Sequence, residues 1–415
     1  MGSRRVFGAL LAVGVLAVGA APAALAAPAA APEAVTAVPR TAAAARVPAR
    51  APARPLPPLA GRGPDGEVVG GDRLAERGLV LPSGAPRLPA DLTARGWVLA
   101  DLDTGEVLAG RDPHARWQPA SCQKILTALT LLPRLTDRRK LVVGTDDDVR
   151  VDGTRVGIVP RGRYSVDLLF QSLLMVSGND AANALARANG GIPVTLEEMN
   201  AEARRLQAFD TRAATPSGLD GPGQLTSAYD LALITRAAMQ RADFRRYVTQ
   251  RRGRVPAQST KFHAFEFANG NRLLYFYPGA IGVKNGFTDL ARHTFVGAAQ
   301  RNGRRLVVAF LRAEQRPVPV YVQASRLLDW GFALPRGQST VGSLVDAVDP
   351  SATPAPAPTS SPAASPPAAG SSTGGSSRPP LLPVAGALAG VAVLAGSGAA
   401  ILDRRRTRRP TRAHR

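Results

Sequence analysis

Ser121 and Lys124 stand three positions apart at the head of an apolar run, Ile125 to Leu132. If that run is a helix, residues i and i+3 share a face, and the hydroxyl meets the amine. A hydroxyl is a weak nucleophile and needs a base to take its proton. A lysine amine can be that base once burial or a neighbouring cation lowers its pKa. The N-terminus of the helix adds backbone N–H groups for a developing oxyanion. The chemistry would be acyl transfer through an ester on the serine. By itself the spacing is common, and Ser121 would serve equally well as a helix cap.

Two further clusters lie downstream. Ser177-Gly178-Asn179 follows 56 residues after Ser121, between an apolar helix and the helix start Asp180-Ala181-Ala182. Lys284-Asn285-Gly286 follows 107 residues after Ser177, at the end of the apolar strand Ala280 to Val283. Each alone is ordinary turn chemistry. Cys122 is the single cysteine, so no internal disulfide forms and core burial must hold the fold. The four histidines, at 114, 263, 293 and 414, lack metal-ligand spacing. The sequence therefore predicts no metal and no cofactor.

The elements that must position these groups are readable. Gly96 to Ala100 and Glu106 to Ala109 flank Asp103-Thr104-Gly105, a hairpin signal. Leu168, Leu169, Leu173 and Leu174 form a helical stripe. Thr195 to Glu198 reads as a capping box opening the next helix. Tyr229 to Met239 gives a fourth helix. Thr294 to Ala299 pairs with Leu306 to Leu311 across Asn302-Gly303, and a last helix runs from Val320 to Trp330. Strands at both ends and helices between them predict one sheet with edges from both ends of the domain.

Composition shifts divide the rest of the chain. Residues 1–26 have Arg4 and Arg5, an apolar run and Ala24-Leu25-Ala26, the pattern of a signal peptide. Residues 27–85 read as an Ala/Pro-rich linker and 86–335 as the folded domain. Residues 336–380 read as a Ser/Pro/Ala-rich linker. Residues 381–402 carry no charge and would be roughly 33 Å long as a helix, enough to cross a bilayer. The tail 403–415 holds seven arginines against one aspartate, and such flanks stay cytoplasmic. The net charge of +21 suits an anionic partner. Export makes nucleic acid the wrong one, and leaves anionic wall polymers, lipid head groups or a merely solvated surface. Leu382 to Gly386 also resembles a sortase signal in which Ala385 replaces the usual threonine.

Taken together, the three clusters resemble Ser-x-x-Lys, Ser-x-Asn and Lys-Thr-Gly, the motifs in this order of penicillin-binding proteins and serine β-lactamases. Their surroundings sharpen the likeness. Met175 to Ala182, Ser217 to Gly223, Ala228 to Ala232 and Leu328 to Phe332 resemble D-alanyl-D-alanine carboxypeptidases of the low-molecular-mass class. The resemblance covers residues 90 to 335. It implies an α+β penicillin-binding/β-lactamase-like fold, an antiparallel sheet with helices on both faces plus an all-helical part. A single C-terminal transmembrane helix would follow. It implies removal of the terminal D-Ala from peptidoglycan stem peptides, and inhibition by β-lactam antibiotics. Ser121 would attack, Lys124 would take its proton, and Ser177 would relay a proton to the leaving amine. Asn179 would hold the substrate amide, and Lys284 the terminal carboxylate. Asn285, Gly286 and Phe287 would line the substrate site, with the N–H groups of Ser121 and Phe287 as oxyanion hole. Asn285 departs from the family's usual threonine, which puts substrate range and turnover in question.

Two other readings stay open here. A β-lactamase of the same fold would need a carboxylate for fast deacylation, with Glu197 and Glu198 the nearest candidates. A non-catalytic wall-binding protein would not need the intact Ser121 and Lys124. Endopeptidase and transpeptidase activity use the same motifs. The apolar segment and its basic flank predict an exported, membrane-anchored domain. Protease added to intact cells should then remove the domain, and a domain protected until lysis would contradict this topology.

Overall fold

Every residue of the strand Gly96–Asp101 is buried, and successive side chains point to opposite faces. In the computed structural model, which describes residues 61–337 and 340–348, this strand lies at the centre of a sheet. The sheet has seven strands. Leu79–Val80 pairs with Glu106–Arg111, followed in space by Gly96–Asp101, Arg304–Ala313, Arg292–Arg301 and Ala280–Thr288. All pairings are antiparallel. Gly342–Ser343 joins Glu106–Arg111 at Val107 and Glu106, beside the pairing of Leu79–Val80 with Arg111 and Gly110. Two short segments thus cover an edge that would otherwise present unpaired N–H and C=O groups.

The alternation divides the core in two. Trp97, Leu99, Leu306, Val308 and Phe310 face the C-terminal helix Val320–Ala333. Val98, Ala100, Val307, Ala309 and Leu311 face the larger helical layer that includes Ile125, Leu173 and Tyr229. At the heart of that layer is the helix Lys124–Leu131, in which every residue is buried. Apart from Lys124, Thr127 and Thr130 it is apolar, as suits a helix enclosed by others. Its neighbours are Val166–Met175, Ile192–Arg205 and Ala228–Gln240. Ser165 and Ser227 cap two of these, accepting from the N–H groups of Leu168 and Asp230 at 3.2 and 3.1 Å.

Three sequence expectations change. Thr195 does not cap a helix. Ile192–Arg205 begins after Gly191 with Pro193 in its first turn, a position that suits a residue without an N–H. Thr195 instead donates back to the Ala186 carbonyl at 3.2 Å, and the capping box in this region is Thr145 with Asp148. Second, Lys284-Asn285-Gly286 is not a strand-ending turn. The strand runs unbroken from Ala280 to Thr288, because pairing with Arg292–Arg301 outweighs the local turn preference of Asn-Gly.

Third, the folded part extends beyond 86–335. Residues 61–80 form a strap with a short 3-10 helix, Asp72–Ala75, that buries Leu74 completely. The strap is pinned by a buried polar cluster. Asp210 accepts from Gly61 N at 3.0 Å, from Arg116 Nε at 2.8 Å and from His114 Nδ1 at 2.9 Å. His114 Nε2 faces the Val69 carbonyl at 3.1 Å. Asp230 completes a group of ligand-type atoms within 4.8 Å of one another, but the lone pairs of Asp210 and both nitrogens of His114 are already engaged. The C-terminal segment is held by Tyr229, whose hydroxyl donates to Ser343 O at 2.8 Å and accepts from Val345 N at 3.2 Å. Among the described residues no helix is long and apolar enough to cross a membrane, and residues 381–402 lie outside them.

If the strap is part of the cooperative core, Leu74→Ala should lower unfolding stability by about 2–5 kcal/mol. Urea denaturation measures this directly, and a loss below about 0.5 kcal/mol would show the strap to be peripheral.

Candidate active site

The chain reaches Ser121 through a tight turn. Ala120–Gln123 is a 3-10 helix, and the α-helix proper begins at Lys124. Ala120 has φ +45°, a conformation unfavourable for any residue with a Cβ. Two glycines allow the turn to be packed from both sides. A Cβ on Gly218 would lie 2.0 Å from the Ala120 carbonyl oxygen. A Cβ on Gly286 would lie 2.6 Å from the Ser121 nitrogen and 2.6 Å from Thr294 Oγ1. Thr294 in turn donates to the Pro119 carbonyl at 2.9 Å, tying the sheet to the turn.

Lys124 is fully buried, and its Nζ has three neighbours. Asn179 Oδ1 and the Ser217 carbonyl are each 2.6 Å away, and Ser121 Oγ is at 3.1 Å. No carboxylate is among them. A neutral amine has two N–H groups and one lone pair. The two carbonyl oxygens take the N–H groups, which leaves the lone pair for the Ser121 hydroxyl. Burial first, and then the charge of Lys284, hold the Lys124 pKa well below its ordinary value. In its neutral form such an amine can take a proton from the serine.

Lys284 is also buried, and donates to the Asn285 carbonyl at 2.7 Å. Burial lowers its pKa to about 8. Cys122 Sγ lies 3.5 Å from the Lys284 carbonyl. Burial pushes its thiol up, so Cys122 packs and does not compete as a nucleophile.

Ser177 has φ +65°, and its hydroxyl is buried with no partner among the described residues. A strained backbone and an unsatisfied hydroxyl together cost a few kcal/mol, and such costs concentrate at functional sites. The next two residues fix the surroundings. Asn179 donates from Nδ2 to the Asp152 carbonyl at 2.6 Å, and its backbone N–H to Thr154 O at 2.8 Å. Asp180 accepts from the N–H groups of Val156, Gly157 and Ile158 at 2.9 to 3.0 Å. The loop 152–158 is thereby clamped beside the nucleophile.

These groups border a cleft of about 900 Å³. Five of the eight residues expected from sequence line it, namely Ser121, Ser177, Asn285, Gly286 and Phe287. Lys124, Asn179 and Lys284 lie buried beneath its floor. The Asn179 Oδ1 orients the Lys124 amine, and one of the two Nδ2 N–H groups goes to the Asp152 carbonyl, which leaves a second N–H. Phe287 is half-exposed against the ring of His293, 4.6 Å between centroids. Glu197 and Glu198 do not reach the cleft, and Glu198 pairs with Arg134 at 2.9 Å. Sequence reasoning gave no role to the Ser217 carbonyl, Thr294 or Asp180. The Ser217-Gly218 pair did carry a signal, since Gly218 has φ +83°.

A serine beside a buried lysine that no carboxylate bonds, set under the edge strand of an antiparallel sheet with helices on both faces, defines a serine acyl-transfer enzyme of the penicillin-binding/β-lactamase-like fold. The family model described as D-alanyl-D-alanine carboxypeptidase matches residues 84–315, and the chain belongs to that family of serine hydrolases. The D-alanyl-D-alanine carboxypeptidase DacB2 of Mycobacterium tuberculosis is 45% identical over 269 residues, covering 64% of this chain and 90% of that protein. The D-alanyl-D-alanine carboxypeptidase DacD of Escherichia coli is 32% identical over 256 residues, 59% of this chain and 64% of that one. A crystal structure of a D-alanyl-D-alanine carboxypeptidase from M. tuberculosis matches with TM-score 0.60 and 45% identity, over 64% of this chain and 99% of that chain. A mutant of a Streptomyces DD-transpeptidase matches with TM-score 0.55 and 25% identity, over 60% of this chain and all of that one.

The two lysines predict a bell-shaped pH dependence of kcat/KM. On the acid side, activity falls as Lys124 gains a proton and stops being a base. On the alkaline side it falls near pH 8, where Lys284 loses its charge. A profile still rising above pH 9 would contradict the role of a cationic Lys284.

Proposed function

We propose that this enzyme removes the terminal D-Ala from peptidoglycan stem peptides ending in D-Ala-D-Ala. The observation that carries the reading is Lys124 Nζ at 3.1 Å from Ser121 Oγ, with no carboxylate bonded to the amine. Ser121 Oγ attacks the carbonyl carbon of the penultimate D-Ala, and its proton passes to Lys124 Nζ. The oxyanion forms against the N–H groups of Ser121 and Phe287. The C–N bond then breaks, and the orphaned hydroxyl of Ser177 relays a proton to the departing amine. Water hydrolyses the ester in a second step with the same base. Lys284 attracts the terminal carboxylate, and the Asn285 carboxamide supplies an N–H in place of the usual threonine hydroxyl. A charge-assisted hydrogen bond of this kind is worth about 1.5–3 kcal/mol. β-Lactam antibiotics would acylate the same serine.

The apolar segment 381–402 and its arginine tail support a membrane tether, with the domain on the extracytoplasmic side. Residues 1–26 support export. The β-lactamase alternative gains nothing, because no Asp or Glu borders the cleft among the described residues.

Mass spectrometry after incubation with penicillin tests the chemistry. The expected result is one acyl group on Ser121, none on Ser121→Ala, and stoichiometric D-Ala release from an N-acylated L-Lys-D-Ala-D-Ala peptide by the untreated enzyme. An adduct on Cys122, or D-Ala release by Ser121→Ala, would sink the reading.

A further inference from the structure

The cleft is larger and more cationic than one terminal alanine requires. No Asp or Glu lines it among the described residues, yet Arg272 and Arg316 do. Both are exposed, and neither is paired with a carboxylate among the described residues. Nearby arginines are paired: Arg292 with Glu314 and Arg301 with Asp329. Arg272 is nonetheless held in place. Its Nη1 lies 3.3 Å from the Tyr321 hydroxyl, and its guanidinium sits 5.7 Å from the centroid of that ring.

The position of Arg272 relative to the reaction is set by Gly270. A Cβ there would be 3.7 Å from Asn285 Oδ1, so this wall adjoins the place of the terminal carboxylate. Arg272 therefore lies on the leaving-group side of Ser121. Beyond Arg272 and Tyr321 the cleft continues into a second hollow of about 380 Å³, walled by Tyr275 and Phe276. Both rings are half-exposed. They are also fixed, since the Tyr275 hydroxyl donates to Arg251 O and Asn269 O at 3.1 Å, and Phe276 meets Tyr321 edge-on at 5.6 Å. A cation next to a rigid aromatic shelf suits a carboxylate on an aliphatic arm.

We propose that Arg272, with Arg316 and Tyr321, forms an anion subsite for a second carboxylate carried by the leaving group. The substrate class is a peptide whose scissile amide joins D-Ala to an amino acid or peptide longer than alanine and bearing that extra carboxylate. The proposal rests on the acyl-enzyme reading above. The bond changes are the same: the acyl carbon passes from nitrogen to Ser121 Oγ, and the larger amine departs with its proton.

The test uses the full-length enzyme and two N-acylated peptides, L-Lys-D-Ala-D-Ala and L-Lys-D-Ala-D-Glu. In the parent enzyme both are cleaved. Arg272→Ala should lower kcat/KM for the D-Glu peptide by about tenfold or more, through KM, and leave the D-Ala peptide within about threefold. Arg272→Lys, which keeps the charge, should recover part of the loss. An equal fall on both peptides, or no cleavage of the D-Glu peptide by a parent enzyme that releases D-Ala, overturns the subsite alone. Failure of the parent enzyme to cleave either peptide, with no penicillin adduct on Ser121, overturns the acyl-enzyme reading and the subsite with it.

Discussion

An amine buried without a counter-ion is the constraint on which the rest of the molecule depends. A buried charge is costly unless paired, so an isolated buried lysine releases its proton. Lys124 hydrogen-bonds only to neutral groups, and burial and the repulsion of Lys284 outweigh the smaller opposing pull of Asp180. The chain spends lysines sparingly: of 52 lysines and arginines only four are lysine, at 124, 140, 261 and 284. Two of the four are in this site, and the other two are exposed. An arginine could not do the job, because its guanidinium does not deprotonate in proteins.

Keeping that amine dry and aimed explains much of the surrounding architecture. The helix Lys124–Leu131 is enclosed on all sides, so water does not reach Nζ. The Ser217 carbonyl and Asn179 fix the two N–H directions, and the Asp180 clamp holds the loop against which Asn179 leans. The positive φ angles of Ala120 and Ser177 store strain of order 1–3 kcal/mol each. The core on both faces of the sheet, with the strap and C-terminal segment closing its edge, offsets that strain.

The chemistry was more legible in the sequence than its packing. Ser121, Lys124, Ser177 and Lys284 could be singled out because their spacing and side-chain types are tied to a reaction. The central strands and the hairpin at Asn302-Gly303 followed from alternation and turn chemistry. What sequence missed was set by contacts between distant segments. Residues 61–80 have no periodicity, and their order comes from single bonds to Asp210 and His114, about 150 and 45 positions away. Strand pairing carried Asn285-Gly286 through a site that local preference reads as a turn. That Asn179 also accepts from the Lys124 amine was set by the fold, since the two residues are 55 positions apart.

The neutrality of Lys124 can be measured directly, since so few lysines are present. Nitrogen-15 NMR of the lysine Nζ groups, followed against pH in the folded enzyme, resolves four titrations. The account predicts one near pH 8 from Lys284, and one well below the ordinary lysine value that disappears in Lys124→Ala. Four titrations all near the ordinary lysine value would contradict it, because Lys124 would then be charged at neutral pH and could not be the base.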